Sequence, residues 1–392
     1  MTIGALDRKL LRDLRGMAGQ ALAVALVVAA GVALYVMSVG TLRSLDETRA
    51  AYYERYRFAD IFAGATRAPE RVHGDIAAIE GVGAVATRVV ADAVLRVPGL
   101  VEPARARLVS LPETGDARIN DIVLRAGRMP RPGHPGEVLA HEAFVEAHGY
   151  ALGARVEAVI DGRLRDLTIV GVALSPEFVY AIAPGELVPD DRRFGVFWME
   201  RPALEAALDM EGAFNDVAIG LLRGADPDPV IDAVDRLLDP YGGPGAVTRR
   251  DQPSHRILDS EFEQLANMGR TLPPIFLGVA AFLLHVVVGR TIELDRERIG
   301  LLKAFGYSDR AVAGHYLKLV LAITGLGILA GFAAGIQLGR GLTGLYTDFF
   351  RFPFLIYRLH ADVFAAAGLV AAAAGSLGAL SAVRRAAALA PA

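Results

Sequence analysis

The sequence predicts an α-helical membrane protein with four transmembrane helices plus an α+β extracytoplasmic domain, carried on a helical stalk between the first and second helices. Three observations lead there. Uncharged apolar stretches long enough to cross a bilayer lie near the two ends of the chain. The charged residues, 22% of the 392, crowd between about residues 43 and 260. Within that charged region a β-α-β pattern occurs twice, with β-rich sequence between the copies. With 53% apolar residues the chain is too apolar for an ordinary soluble enzyme and too charged to be membrane throughout. A net charge of −3 and the lack of any arginine-rich, aromatic-interleaved run exclude the footprint of a nucleic-acid binder. The absence of cysteine excludes disulfides, thiolate metal sites and cysteine nucleophiles.

The first span is expected at 17–42, roughly 40 Å of helix without a formal charge. The basic run Arg8, Lys9, Arg12, Arg15 in the 1–16 segment precedes it and places that segment in the cytoplasm by the positive-inside bias. The apolar run is too long for the core of a cleaved signal peptide, so a retained anchor is expected. Further spans are expected at 272–290, 315–339 and 362–383. Four spans return the 384–392 tail, with Arg384 and Arg385, to the cytoplasm. The 291–310 loop carries Arg290, Arg296, Arg298, Lys303 and Arg310 around it and reads as cytoplasmic too. Arg340, Arg351 and Arg358 run against the bias, because they fall in the 340–361 loop that this topology puts outside.

Outside the membrane, 43–58 continues the first helix as a stalk, and 260–271 is a matching polar helix leading back. Two readings of Tyr52, Tyr53 and Tyr56 stand: a contact between stalk helices, or an interfacial aromatic belt. Between the stalks, in the 59–259 domain, FADIFA at 58–63, a helix at 69–79 and a strand at 84–97 form one β-α-β unit. FNDVAIGLL at 214–222, a helix at 227–238 and a strand at 245–250 form the other. The closing strands share a look, GAVATR against GAVTRR. Two such halves make a split α+β sandwich of the ferredoxin-like type. A small β-subdomain is inserted at about 100–200, where 155–160 alternates, Asp161-Gly162 supplies a type I′ turn and 163–172 returns.

In the 291–310 loop, TIELDRERIGLLKAFGYS at 291–308 places Ile299, Leu302 and Phe305 at helical spacing, with Glu297, Arg298 and Lys303 elsewhere. Gly306 can end this helix, and Ser308 with Asp309 can start the next. Such a helix under a bilayer either rests on membrane lipids or docks into a groove on a partner protein, and periodicity does not separate the two.

The phrase RERIGLLKAFGYS resembles the loop of FtsX-like ABC permeases of the MacB and LolC type, in which a helix of pattern R-E-I-G-x-L-K/R-A-x-G-x-S couples the membrane domain to an ATPase. The order of one helix, a large outer domain and three helices is that family's as well. The tail VRRAAALAPA is similar to the family's ending, and 177–198 looks like chains that carry a second, tandem permease half. The chain departs from the pattern in placing Arg298 between Glu297 and Ile299.

The resemblance implies an ATPase-coupling segment made of Glu297, Arg298, Ile299, Gly300, Leu302, Lys303, Phe305 and Gly306. It implies a non-catalytic permease subunit in the bacterial inner membrane, transmitting closure of a partner ABC ATP-binding subunit to the outer domain. No cofactor is expected on this chain; ATP and magnesium belong to the partner, and a second permease half completes the assembly as a homodimer, heterodimer or tandem half. The sequence contains no G-x-x-x-x-G-K-[ST] phosphate loop. The competing reading is a membrane-anchored extracytoplasmic sensor or adaptor without ATP coupling. A hydrolase is disfavoured, since no G-x-S-x-G elbow or other motif singles out a nucleophile.

Other residues stand out singly. His141, Glu142 and His148 evoke a zinc motif, but the histidines are seven residues apart and cannot share an ion as i, i+4 neighbours do. No metal site is therefore expected. His285 and Gln337 are polar groups within spans, read either as functional or as hydrogen-bonded between helices. Pro273 and Pro274 are a candidate hinge between stalk and span, or an ordinary first-turn proline pair. Gly327, Gly331 and Gly335 make a small-residue stripe suited to close helix packing, against this chain or another.

Overall fold

The computed structural model describes residues 5–112, 119–186 and 188–388. It divides into a helical unit, 1–46, 262–346 and 356–392, and an αβ unit, 47–261 and 347–355. In chain order the first helices are α1 (Ala5–Gly16) and α2 (Ala18–Arg55). The αβ unit then supplies β1 (Ile61–Pro69), α3 (Val72–Ala77), β2 (Val82–Arg88), β3 (Val90–Arg96), β4 (Ala104–Ser110), β5 (Val123–Gly127) and β6 (Glu137–His141). It continues with α4 (Glu142–His148), β7 (Arg155–Ile160), β8 (Arg163–Leu174), β9 (Phe194–Met199), α5 (Arg201–Leu208), β10 (Ala213–Leu221), α6 (Pro227–Leu238) and β11 (Val247–Thr248). The remaining helices are α7 (Pro253–Leu294), α8 (Arg296–Ala304), α9 (Asp309–Phe349) and α10 (Ala361–Ala387).

One sheet of the αβ unit has the order β11-β1-β10-β2, every neighbour antiparallel. Two β-α-β halves interleave in this way when each helix crosses from an inner to an outer strand. The apolar sides of α3 (Val72, Ile76) and α6 (Val230, Val234, Leu238) share a buried cluster with Ile61, Val85, Phe214 and Ile219. The Asp226 side chain accepts from the Asp228 N–H and so starts α6.

The inserted subdomain is larger than 100–200, beginning at Val90, because the strand expected at 84–97 breaks at Val89 and its second half joins a different sheet. That sheet has the order β5-β8-β6-β9-β4-β3-β7, and the pairing of β7 with β8 closes six of its strands into a ring. The long strand β8 closes it by pairing with β7 over its first half and with β6 over its second. Leu95, Leu108, Val156, Leu167, Ile169 and Phe197 fill the interior, each contributing roughly 1.5–3 kcal/mol on burial. The hairpin at Asp161 and Gly162 has φ of 46° and 73°, as a type I′ turn requires. The closing strand expected at 245–250 shrinks to β11, because Arg249 turns inward to donate to the carbonyls of Phe58 and Ala59.

Among the described residues, four helices are long and apolar enough to cross a membrane: α2, α7, α9 over Asp309–Thr347, and α10. Several run past their expected ends. The expected return helix 260–271 begins instead at Pro253, and α9 continues ten residues beyond Gly339 into the segment read as loop. Pro273 and Pro274 therefore lie mid-helix, which removes the first-turn reading and leaves two backbone carbonyls without their usual donors. They line a cavity of about 440 Å³ with Gly31, Tyr35, Val39 and Gly269.

The glycine stripe meets this chain's own α2. A Cβ on Gly327 would lie 2.7 Å from Val28 Cβ, on Gly331 2.7 Å from Val32 Cβ, and on Gly335 2.8 Å from Val36 Cβ. The two backbones touch over three consecutive turns. His285 meets Ser381 of α10 at 3.1 Å, a hydrogen bond between helices, while Gln337 is exposed on the surface of the unit.

Within the αβ unit, Tyr52 and Tyr53 are buried, which removes the aromatic-belt reading: Tyr53 Oη lies 3.0 Å from His255 Nδ1, and Arg49 pairs with Asp259 at 2.9 Å. Arg351, one of the arginines that ran against the charge bias, pairs with Glu146 at 2.6 Å while its N–H donates to Val179 at 3.0 Å.

Gly331→Ala is expected to destabilise the protein by about 1–3 kcal/mol through overpacking against Val32. Gly341→Ala, with open space around its Cα, is expected to be neutral or stabilising by up to about 1 kcal/mol from helix propensity. Thermal unfolding in detergent, followed by size exclusion, reads the opposite signs.

Candidate coupling site

Helix α8 is set apart from α7 by a single non-helical residue, Asp295. Backbone bonds pass across the break, from Asp295 N–H to Thr291 at 2.9 Å and from Ile299 N–H to Asp295 at 2.9 Å. At the other end Gly306 takes φ of +91°, which a glycine adopts without steric cost, and lets the Tyr307 N–H reach the Leu302 carbonyl at 3.1 Å. Ser308 Oγ then accepts from the Ala311 N–H at 3.3 Å and opens α9.

The sequence-derived set splits between the two faces of this short helix. Ile299, 1% exposed, and Gly300 face the helical core, and Leu302 is half-buried. Lys303 also turns inward, donating to the Ala387 carbonyl at 2.7 Å and pairing with Asp309 at 2.8 Å, where its charge complements the C-terminal end of α10. Phe305 does not share the Ile299 face. At six residues' separation it is rotated well off that face, and it stands 82% exposed. The outward stripe is Leu294 (77% exposed), Glu297, Leu301 (53% exposed) and Phe305, at spacings of three, four and four, with Arg298 beside it. Periodicity missed Leu294 and Leu301 because spacing groups residues on a face without saying which face turns outward.

Sequence reading also missed the polar cluster behind the helix. Asp295 accepts from Lys9 Nζ at 2.7 Å, from Arg298 at 3.0 Å and from Tyr316 Oη at 3.3 Å. Lys9 also pairs with Asp13 at 2.6 Å, and His315 Nε2 lies 3.0 Å from Asp13. Burial works to raise the Asp295 carboxyl, but the Lys9 hydrogen bond and the charges of Lys9 and Arg298 outweigh it and hold the group below the usual carboxylate range. No local motif announces this cluster, since Lys9 and Asp295 are 286 residues apart.

Residues 271–391 match the model of the FtsX-like permease C-terminal domain. The region from within α7 to the end of the chain carries an FtsX-like permease domain. The candidate coupling helix α8 lies inside it, between its first two long helices; Pro391 and Ala392 at the tail fall outside the described residues. No curated protein matches the sequence. Solved structures similar to part of the chain include the extracellular domain of the noncanonic ABC-type transporter YknZ from Gram-positive bacteria, with TM-score 0.33, 14% identity and coverage of 48% of this chain and 98% of that one. The periplasmic region of MacB from Actinobacillus actinomycetemcomitans gives TM-score 0.33 and 8% identity, covering 54% and 95%. A domain of a putative permease from Porphyromonas gingivalis gives TM-score 0.27 and 14% identity, covering 50% and 88%.

The histidines weighed for zinc serve separate partners. His141 accepts from the Ala143 N–H at its Nδ1 and faces the Phe178 carbonyl with Nε2 at 3.1 Å, while His148 Nε2 meets the Arg192 carbonyl at 2.9 Å. Burial, together with the Arg351 charge, pushes His141 from 6.5 down to about 4. A second ring proton would point at the helix N–H that Nδ1 now accepts. As pH falls, the unfolded chain takes up this proton first, so the stability present above pH 6.5 is lost between 6.5 and about 4. About 3 kcal/mol is involved, at 1.36 kcal/mol per unit. Denaturation of the wild type across that window should show the loss, and His141→Asn, which keeps an N-cap acceptor, should reduce it, the remainder belonging to His255, which burial also holds down at about 4.

Proposed function

We propose that the chain is the transmembrane permease subunit of an ABC transporter, and that α8 receives the motion of a separate ATPase. The observation that carries this reading is the outward stripe of Glu297 and Leu301 on the short helix α8, continued by Leu294 at the end of α7 and Phe305 at the C-cap, inside an FtsX-like permease domain. Anchors at three- and four-residue spacing on one helix face suit insertion into a groove on a partner. In this reading ATP and magnesium bind the partner, and this chain performs no chemistry.

Transmission then runs along helices that are continuous in the chain. Closure of the ATPase on ATP would displace α8, and the single-residue break at Asp295 passes the displacement to α7. That helix runs from Leu294, in the helical unit, to Pro253, in the αβ unit, where Arg49 to Asp259 and Tyr53 to His255 join it to α2. Pro273 and Pro274 supply a point of reduced backbone bonding for bending. The αβ unit is then the part that moves, on the extracytoplasmic side of a bacterial inner membrane with both termini cytoplasmic. The charge distribution around α1 and α8 supports that sidedness. A second permease half completes the assembly, and membrane lipids cover the exposed apolar sides of α2, α7, α9 and α10.

Leu301→Asp with Phe305→Asp is expected to abolish co-purification of an ATP-binding cassette subunit from solubilised membranes, while the chain itself keeps its thermal stability. Gly300 and Leu302 are unsuitable targets because they face the core. Absence of any ATPase with the wild type would overturn the proposal in favour of a membrane-anchored sensor or adaptor, with α8 resting on lipid.

A further inference from the structure

We propose that α1 is a positioning clamp for α8: Lys9 and Asp13 hold the Asp295 pivot, so that α8 moves with α1 and α9 and does not swing freely at the break. This rests on the reading of α8 as the ATPase-coupling helix, but the clamp itself is a property of this chain alone.

A break of one residue between two helices is a swivel unless something fixes it. Asp295 occupies the N-cap position of α8, yet its side chain makes no cap bond there. Its carboxylate turns instead into the buried cluster, taking Lys9 on Oδ2 and Arg298 on Oδ1, with Tyr316 donating to Oδ2. Lys9 bridges Asp295 and Asp13 at 2.7 and 2.6 Å, and His315 of α9 closes on the far side of Asp13 at 3.0 Å. Side chains of α1, α8 and α9 therefore meet around the Asp13 and Asp295 carboxylates, which Lys9 bridges. Leu10 and Leu14, on the neighbouring turns of α1, pack against the apolar core of the helical unit and stop α1 from lifting away.

The members differ in what they contribute. Arg298 is 73% exposed at its side chain, and an ion pair there is screened and weak. Lys9, Asp13 and His315 are largely buried, so removing Lys9 leaves two carboxylates in a poorly solvated place without their shared counter-charge. Buried ionic clusters are poor devices for net stability, and their best-attested use is to specify register. Here the register fixed is that of α8 against α1 and α9, which makes Lys9 and Asp13 positioning residues for the coupling helix.

Hydrogen exchange of the full chain in nanodiscs, read by mass spectrometry, tests the clamp without any ATPase. Lys9→Met and Asp295→Asn are expected to speed exchange across 296–304 by about tenfold, with the cores of α9 and α10 unchanged. The double variant, Lys9→Met with Asp295→Asn, is expected to exchange no more than about twofold faster than the quicker single variant, because both remove the same contact. Lys9→Gln, which keeps a donor, stands beside Lys9→Met in case the latter does not fold. Unchanged exchange across 296–304 in both single variants overturns the clamp. So does a uniform rise through all four long helices, or fully additive effects in the double variant, because the cluster would then only hold the fold together. Failure of the coupling reading is seen separately, as the missing ATPase in co-purification.

Discussion

Contact between α2 and α9 sets the terms for the whole helical unit. In a bilayer, water gives no drive to bury one apolar helix against another, so association depends on how closely backbones can approach and how well side chains interlock. Gly327, Gly331 and Gly335 remove the side chain on each successive turn of α9, and Val28, Val32 and Val36 fill the space. A stiff β-branched residue against a glycine loses little rotamer freedom on packing. The same device recurs where α7 meets α10, since a Cβ on Gly378 would run into the Ala281 carbonyl. Helices locked so closely cannot slide by small continuous amounts. Freedom is left at their ends and at the proline pair within α7.

The αβ unit solves a different problem, which is how to pass the chain from one sheet to another within a single residue. Val89 lies between β2 and β3 and passes the chain from one sheet to the other. Its N–H finds Ser110 Oγ at 2.9 Å, and the next residue, Val90, is held by Asn215, whose side-chain amide accepts from the Val90 N–H and donates to the Val90 carbonyl, both at 2.8 Å. One asparagine thus takes the place of a neighbouring strand where the ladder is interrupted, leaving no orphaned backbone group. Beside it Arg88 is buried between Asp216 and Glu177, with 2.5 Å contacts to each. Breaking such a group by removing one partner is costly, so this junction is fixed.

What the sequence made legible follows from the range of each signal. Spans, the Asp161-Gly162 turn, the α6 boundaries and the interleaved halves depend on local periodicity or turn chemistry, and they were readable. The break at Val89 was not, because 84–97 keeps one apolar texture across two sheets and only Ser110 and Asn215, far along the chain, force the change. Direction was also illegible on α8. Leu301 and Leu302 are the same residue type side by side, and only packing against the core decides that one turns out and the other in. The Lys9 cluster lies at the extreme of this difficulty: each member, alone, reads as an ordinary charge near a membrane surface.

Arg351, one of the arginines that run against the positive-inside bias, is held within the αβ unit. The bias counts Lys and Arg in short loops near the ends of spans. Arg351 is committed elsewhere, to Glu146 and the Val179 carbonyl, in a segment where Phe349 and Phe350 contact Tyr180 and Phe352 contacts Tyr52. Residues 347–355 are therefore part of the αβ unit although they leave directly from α9. The polypeptide passes between the two units within α2, α7 and α9, where the helix itself carries the crossing, and a fourth time through the non-helical segment at Leu355 and Ile356. A helix resists bending over the length of one turn far more than a loop does, so a displacement at one end is passed along with little loss. Under the permease reading proposed above, that stiffness is what would carry a displacement at α8 to the αβ unit.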